Sequence, residues 1–137
     1  MRHNACLLAL LLSACSQARS YTSICDIADP EAAVGSQVTL KAMLLVGGME
    51  HPPMVVDPKC WLGFGADLTE APEDLRMAFE SPGRFNKFAL VSGRLEYPRK
   101  RPMLRIESAR QIQIGAPMRS EEEDAFFKRM VREKAVW

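Results

Sequence analysis

The chain has 137 residues, with 18 Lys and Arg against 17 Asp and Glu, and 47% of its residues are hydrophobic. This is the size of one modest domain, and its 26% charged residues, 9 Pro and 8 Gly exclude a disordered, collagen-like or coiled-coil chain. A net charge of +1 gives no global attraction to nucleic acid or to an anionic membrane, so either partner must be met by a local patch.

The chain begins with the features of an export signal. A basic residue, Arg2, precedes an apolar stretch from Ala5 to Leu12, and small residues follow. The apolar stretch is too short for a membrane-spanning helix, which needs about 20 apolar residues. We predict a signal peptide over residues 1–14 and a tether over residues 15–23.

The end of this signal resembles the bacterial lipobox. Residues 12–15 read LSAC, so a cysteine follows small residues. The resemblance implies that Cys15 carries a diacylglycerol and an acyl chain, and each buried CH₂ contributes about 0.8 kcal/mol of membrane affinity. By the same resemblance, Ser16 implies delivery to the outer membrane, facing the periplasm. Cleavage after Ala18, which would release a soluble periplasmic protein, is the alternative.

Processing leaves two of the four cysteines in the domain. Cys6 leaves with the signal and Cys15 carries lipid, so Cys25 and Cys60 remain in a compartment where disulfides form. A bridge between them is expected to stabilise the fold by about 3–4 kcal/mol in the chain-entropy model. A reactive or metal-bound pair is the alternative. The chain has no CxxC motif, so a thioredoxin-like redox role has no support.

Hydrophobic alternation, broken by Gly and Pro, predicts a domain over residues 24–116. A short helical turn over 29–35 is followed by strands over 38–46, 54–57 and 60–64, a helix over 71–81, and strands over 85–97 and 103–114. Gly93 lies where a coiled strand could bend. This order of elements matches the OB barrel, in which five strands close and a helix follows the third.

The start of this domain also carries a family resemblance. Residues 29–48, DPEAAVGSQVTLKAMLLVGG, are similar to the start of small exported bacterial OB-fold-like lipoproteins, and the likeness in pattern extends over roughly residues 24–114. It implies a mainly β fold, an OB-like five-stranded barrel with α elements, but no particular activity. A small open sheet packed on one helix is the alternative. The two differ mainly in whether the first and last strands meet.

A second helix is predicted over residues 120–135, within a C-terminal segment of residues 117–137. Ser120 and Glu123 have the spacing of a capping box, and the acidic first turn and basic last turns suit the helix dipole. One apolar face is expected to pack on the barrel, formed by Phe126, Phe127, Met130 and Val131. Because the helix is terminal and follows Gly115 and Pro117, a partner-binding role is the alternative.

One loop contains residues suited to a soft metal. Met49, His51 and Met54 place two thioethers and one imidazole close together, a ligand set that Cu(I) prefers, and Trp61 is near in sequence. This resembles periplasmic copper carriers built on an OB barrel, although those carriers arrange their ligands across strands. The alternative is that the methionines fill gaps in the packing and that His51 caps a turn.

The same histidine limits the possible enzyme chemistry. His51 is the only histidine after the signal, so a Ser-His-Asp arrangement would need it together with Asp57 or Asp67, and the chain contains no GxSxG elbow. Glu50 and Asp57 could act as paired carboxylates, but they flank a Pro-rich hairpin tip where solvated charges are the usual arrangement. We therefore expect a protein that is not an enzyme.

Charge is segregated along the domain. Residues 26–80 hold 10 acidic and 3 basic residues, whereas residues 84–110 hold 8 basic and 2 acidic ones. The basic half centres on the turn before the last strand, which we call the basic hairpin: Arg99, Lys100 and Arg101, flanked by Arg94 and Arg105. OB domains use this loop for ligands. Anionic lipid headgroups, lipopolysaccharide phosphates or an acidic protein surface are the expected ligands, and a solvated hairpin tip is the alternative.

Nucleic acid is not expected as a partner, because the protein is exported and only Tyr97 offers a nearby stacking surface. Together these features predict a lipid-anchored, disulfide-bridged binding or assembly module of the cell envelope without catalytic activity. It needs no cofactor beyond the covalent lipid at Cys15. The Cu(I) carrier using Met49, His51 and Met54 is the alternative function.

Overall fold

The computed structural model describes residues 19–47 and 52–133. Six strands and two α-helices follow one another along the chain: β1 (Ser20–Tyr21), β2 (Gln37–Leu45), β3 (Met54–Asp57), β4 (Leu62–Asp67), α1 (Glu73–Glu80), β5 (Lys87–Glu96), β6 (Met103–Ile114) and α2 (Ser120–Arg132). The signal peptide, Cys15 and most of the loop with Met49 and His51 lie outside the described residues. Among the described residues, no helix is long and apolar enough to cross a membrane.

Five of the strands close into a barrel, which confirms the predicted OB-like fold. The strands β2, β3, β4, β6 and β5 follow one another around the barrel, and β5 returns to pair with β2. All pairings in this ring are antiparallel except that of β4 with β6. The alternative of an open sheet is therefore wrong. The first and last strands of the barrel, β2 and β6, do not pair with each other. Strand β6 lies between β5 and β4, so the barrel is closed by the pairing of β5 with β2.

Alternation along the strands separates an inner core from an outer cluster. In β2, Val38, Leu40 and Leu44 point into the barrel, whereas Met43 and Leu45 are buried on its outer side. Such alternation is the ordinary consequence of the two-residue period of a strand. The outer side of β2 is buried because a second element covers it, and that element is α2.

Gly93, where the sequence predicted a possible bend, lies at a close approach between β5 and β6. The pairing of these strands shifts between Ser92 and Gly93. A Cβ atom added at Gly93 would lie 2.3 Å from the carbonyl oxygen of Arg105. No larger residue fits without moving backbone.

Helix α1 contributes to the core from between β4 and β5, as predicted. Leu75, Ala78 and Phe79 are buried against the barrel interior. Its C-terminal end is capped by Lys87, which is 1% exposed and whose Nζ donates to the carbonyl oxygens of Phe79 (3.0 Å) and Ser81 (2.6 Å). A cation at this end of a helix is favoured by the helix dipole.

The fold begins before the predicted start at Ile24. Strand β1 pairs in parallel with the start of β2, with Ser20 opposite Gln37. The Gln37 amide donates to the carbonyl of Arg19, and the Arg19 amide donates to Ser36 Oγ at 3.0 Å. Part of the predicted tether therefore belongs to the sheet. The predicted turn over 29–35 is present and ends at Gly35, whose φ of +88° suits glycine.

Strands β4 and β5 each begin two residues later than predicted, and β2 lies one residue earlier than predicted. The third barrel strand is Leu62–Asp67 rather than 60–64, because the amides of Cys60 and Trp61 both donate to the carbonyl of Asp57 and hold a turn there. Trp61 has φ +59°, which takes it out of an extended strand. Strand β5 begins at Lys87 rather than at residue 85, because Phe85 packs beneath α2.

The predicted capping box of α2 is wrong. Arg119 is the N-cap, and no side chain caps the helix. Ser120 is already the first helical residue, so its hydroxyl is one residue too late to cap. Instead the carbonyl oxygen of Arg119 accepts a hydrogen bond from the Glu123 amide at 3.0 Å. The Arg119 side chain donates from Nε to the Glu122 carboxylate at 2.8 Å.

The predicted apolar face of α2 is half correct. Phe126 and Met130 pack on the barrel, whereas Phe127 and Val131 remain 42% and 51% exposed. Successive helical residues are rotated by about 100° around the helix axis. When Phe126 and Met130 face the barrel, Phe127 and Val131 therefore point away from it.

Candidate functional site

The basic hairpin has a backbone that its residues do not favour. It connects Glu96, the end of β5, to Met103, the start of β6, and Arg99 and Lys100 have φ values of +53° and +61°. A hairpin turn with positive φ at both central residues normally holds Asn-Gly, since other residues cost about 1–2 kcal/mol each in this conformation. Turn propensity therefore does not account for Arg and Lys at these two positions.

Three of the five predicted ligand-binding cations are available at the tip. Arg99, Lys100 and Arg101 are exposed, and no carboxylate of residues 19–47 or 52–133 forms an ion pair with them. Their charges are therefore presented to solvent on one short loop. This is the arrangement that attracts phosphate or carboxylate groups of a partner.

The other two predicted ligand-binding residues, Arg94 and Arg105, are engaged with acidic side chains. Arg105 forms an ion pair with Glu96 at 2.7 Å and lies 3.8 Å from Asp67, while Arg94 lies 4.0 Å from Glu107. These pairs are partly exposed and screened by solvent, so each contributes little to stability. The structure brings both arginines to the base of the hairpin and partly neutralises them there.

The Asp67 carboxylate in this network is further stabilised by its own turn. The Thr69 hydroxyl and amide donate to Asp67 Oδ1 at 2.6 and 3.0 Å. These hydrogen bonds, with a smaller contribution from Arg105, lower the pKa of Asp67 below its usual 3.8. Asp67 is therefore ionised beside Arg105 at neutral pH.

The N-terminal end of the described chain lies at the hairpin end of the barrel. Ser20 pairs with Gln37, Gln37 pairs with Arg94, and Arg94 pairs with Arg105. Neighbouring strands are about 4.8 Å apart, so Arg94 is about 10 Å from Ser20 across the sheet. The exposed Arg19 precedes β1 at this edge. The chain therefore enters the barrel beside the base of the basic hairpin.

Two contacts join the entry segment to the turn between β3 and β4. Cys25 and Cys60 form a disulfide bond, as predicted, so a reactive or metal-bound pair is not what the structure shows. Asp57 lies next to this bridge. Its Oδ2 accepts from Ser23 Oγ (2.5 Å) and the Ile24 amide (3.1 Å), and its Oδ1 accepts from the Lys59 amide (2.9 Å).

Sequence reasoning considered Asp57 only as a possible catalytic acid. Its hydrogen bonds to Ser23 and to two backbone amides give it a structural role instead. The available signal was the Asp-Pro-Lys sequence over residues 57–59, because Asp side chains commonly bond to the amide two residues later. The contact with Ser23 could not be read from local sequence, since 34 positions separate the two residues.

Only one of the three predicted metal ligands, Met54, lies within the described residues. Met49 and His51 lie outside the described residues. Met54 packs over Gly63 and in the apolar cluster that includes Trp61. Within the described part of the chain, no group of three or more His, Cys, Asp or Glu could hold a metal ion. The copper site stays a prediction.

No protein-family model matches the chain, and no curated protein matches it. The fold defines a small closed OB-like barrel with an added C-terminal helix. Because this barrel serves many unrelated functions, the function has to be argued from the surface it presents.

Proposed function

We propose that the protein is a lipid-anchored module of the cell envelope, without catalytic activity, that binds an anionic component through the basic hairpin. The observation that carries this proposal is the pair Arg99 and Lys100 at positions of positive φ. Residues kept at a cost in stability commonly serve function. Here the functional property is charge, because both residues are cationic and exposed.

The position of the predicted anchor supports contact with a membrane surface. Cys15 precedes Arg19 by four residues, a reach of about 14 Å at most when extended. Lipid at Cys15 would therefore hold the hairpin end of the barrel near the headgroups. Each basic residue close to an anionic surface contributes about 1 kcal/mol of attraction. We take anionic headgroup phosphates as the ligand, in the outer membrane facing the periplasm.

Binding to lipid vesicles tests this proposal. The variant below removes charge from the hairpin without destabilising its turn, so weaker binding cannot be explained by unfolding. In a Cys15→Ser chain, which cannot be lipidated, Arg99→Asn with Lys100→Gly removes two charges and supplies the preferred turn residues. Binding to phosphatidylglycerol vesicles at low salt should weaken about tenfold or more, since two contacts of about 1 kcal/mol are lost. Thermal stability should rise, because the positive-φ cost is removed.

A matched control removes the same charge elsewhere. Lys128 and Arg132 are exposed on α2, which packs at the Met43–Leu45 end of β2, whereas the base of the hairpin lies at the other end, beside Gln37. Changing both to Ser should alter vesicle binding by less than about twofold. Equal losses in the two variants would mean that net charge alone acts. Unchanged binding in the hairpin variant would mean that the hairpin is a solvated turn that does not bind the membrane. Either result refutes the proposal.

A further inference from the structure

Helix α2 covers an apolar surface on the outside of the barrel. The surface, called here the outer groove, is formed by outward-facing residues of β2, β3 and the segment before β5: Met43, Leu45, Val56 and Phe85, with Met54, Trp61 and Phe88 at its margin. The first four are at most 8% exposed. Without α2 they would form a contiguous apolar patch of the kind that marks an interaction site.

The contacts within the outer groove define the chemistry of its occupant. The ring of Phe126 stacks on Phe85 at 4.8 Å and meets Trp61 edge-on at 5.5 Å. Met130, one turn later, is fully buried, and Glu133 accepts a hydrogen bond from Trp61 Nε1. The groove therefore fits an amphipathic helix with an aromatic residue, an apolar residue four positions later and a carboxylate three positions after that.

The attachment of α2 to its own barrel depends on few side chains, mainly Phe126, Met130 and Glu133. Met130 is its only buried residue, and the bond from Trp61 to Glu133 is the only side-chain hydrogen bond between the helix end and the barrel among the described residues. The connection is pinned at Gly115, whose amide donates to the Asn86 carbonyl at 2.7 Å. From there to the N-cap Arg119 the chain has no regular secondary structure.

We propose that the outer groove is a helix-binding surface that exchanges its own α2 for α2 of a second copy of the chain. A second copy supplies the contacts that the structure already displays, so the exchanged and closed forms bury the same side chains. Residues 116–119, of which Met118 packs against the outer groove, can extend over about 13 Å and act as the hinge. Exchange of an identical element is a low-cost route to a dimer. This inference is independent of the anionic ligand proposed for the hairpin.

A labelled peptide of residues 116–133 tests whether the groove accepts a helix from outside. Phe126→Ala with Met130→Ala in the full chain weakens its own α2 and leaves the groove open. The peptide, which keeps Phe126 and Met130, should then bind at least about tenfold more tightly than it binds the unaltered chain. The matched control is Phe127→Ala with Val131→Ala on the exposed face of α2. It should leave peptide affinity within about twofold of the unaltered value.

A second variant tests the same inference without removing any apolar side chain, in case Phe126→Ala with Met130→Ala prevents folding. Deleting Ala116 and Pro117 shortens the hinge by about 7 Å without changing a groove side chain or a helix side chain. This chain cannot easily fold α2 onto its own barrel and should be largely dimeric in light scattering. Mixing it with an isotope-labelled copy during refolding should give mixed dimers in native mass spectrometry.

Three results would overturn the inference. The first is peptide affinity that is not raised by opening the groove. The second is a hinge-shortened chain that stays monomeric. The third is a dimer that is lost with Phe127→Ala and Val131→Ala, since that result would place association on the exposed face of α2 instead of the groove.

Discussion

The Cys25–Cys60 disulfide should supply a large part of the stability of this small domain. The two residues are 35 positions apart, so the bridge closes a loop of about 36 residues. In the chain-entropy model such a loop is worth about 4 kcal/mol. For a domain of this size, a loss of 1 kcal/mol lowers the melting temperature by about 4 °C. Cys25→Ala with Cys60→Ala should therefore lower it by about 15 °C.

The assay is thermal unfolding followed by circular dichroism, with and without a phosphine reductant. Reductant should bring the unaltered domain to the melting temperature of the double-alanine variant and leave that variant unchanged. This pairing separates loss of the cross-link from any packing defect that alanine introduces. A loss below about 1 kcal/mol, or an unaltered domain that does not respond to reductant, would refute the reasoning.

Three further predictions concern polar groups that the fold depends on. Asp57→Ala should destabilise the domain by about 2–4 kcal/mol in urea unfolding, because it leaves the Ser23 hydroxyl and two amides without their acceptor. Lys87→Met should cost about 1–3 kcal/mol, because the carbonyls at the end of α1 lose their donor. Since burial lowers the pKa of Lys87 below 10.5, the unfolded chain holds this proton more tightly, and the advantage of the unaltered protein over Lys87→Met should grow as pH rises toward 10.5. Thr69→Val should raise the pKa of Asp67 toward 3.8 in a carboxyl NMR titration, and the stability difference from the unaltered chain should vanish as pH falls through the folded pKa. A larger deficit for Lys87→Met at lower pH, an unmoved Asp67 titration or an Asp57→Ala variant of normal stability would contradict these assignments.

The barrel could be predicted because its elements carry strong local signals. Strands β2, β3 and β6 show alternation or clear breaks, and α1 has an acidic first turn with an apolar side. The order of these elements, with a helix after the third strand, indicates an OB-like barrel. The disulfide was predicted by counting the cysteines that would remain after the predicted processing.

The features that sequence missed depend on contacts between distant residues. Strand β1 has only two residues and exists because β2 offers an edge at Gln37 and Val38. Arg105 is partly neutralised by Glu96, its closest carboxylate, and by the more distant Asp67 and Glu70, which no local pattern connects to the hairpin. Helical periodicity shows which residues of α2 are apolar, but it does not show which of them face the barrel. The packed and exposed sides of α2 therefore could not be told apart from the sequence.

The candidate site was predictable in composition but not in geometry. The cluster of basic residues over 99–101 is plain in the sequence. The positive φ values of Arg99 and Lys100 are not, because Arg and Lys rarely adopt them.

We propose that a lipid anchor at Cys15 holds this barrel at a membrane, with its entry segment bridged to the β3–β4 turn. The most direct test is the intact mass of the protein purified from envelope membranes, measured before and after reduction and alkylation. We predict a chain that starts at acylated Cys15, with Cys25 and Cys60 alkylated only after reduction. A chain that starts at Arg19 without lipid, or one whose Cys25 and Cys60 react before reduction, would contradict the account.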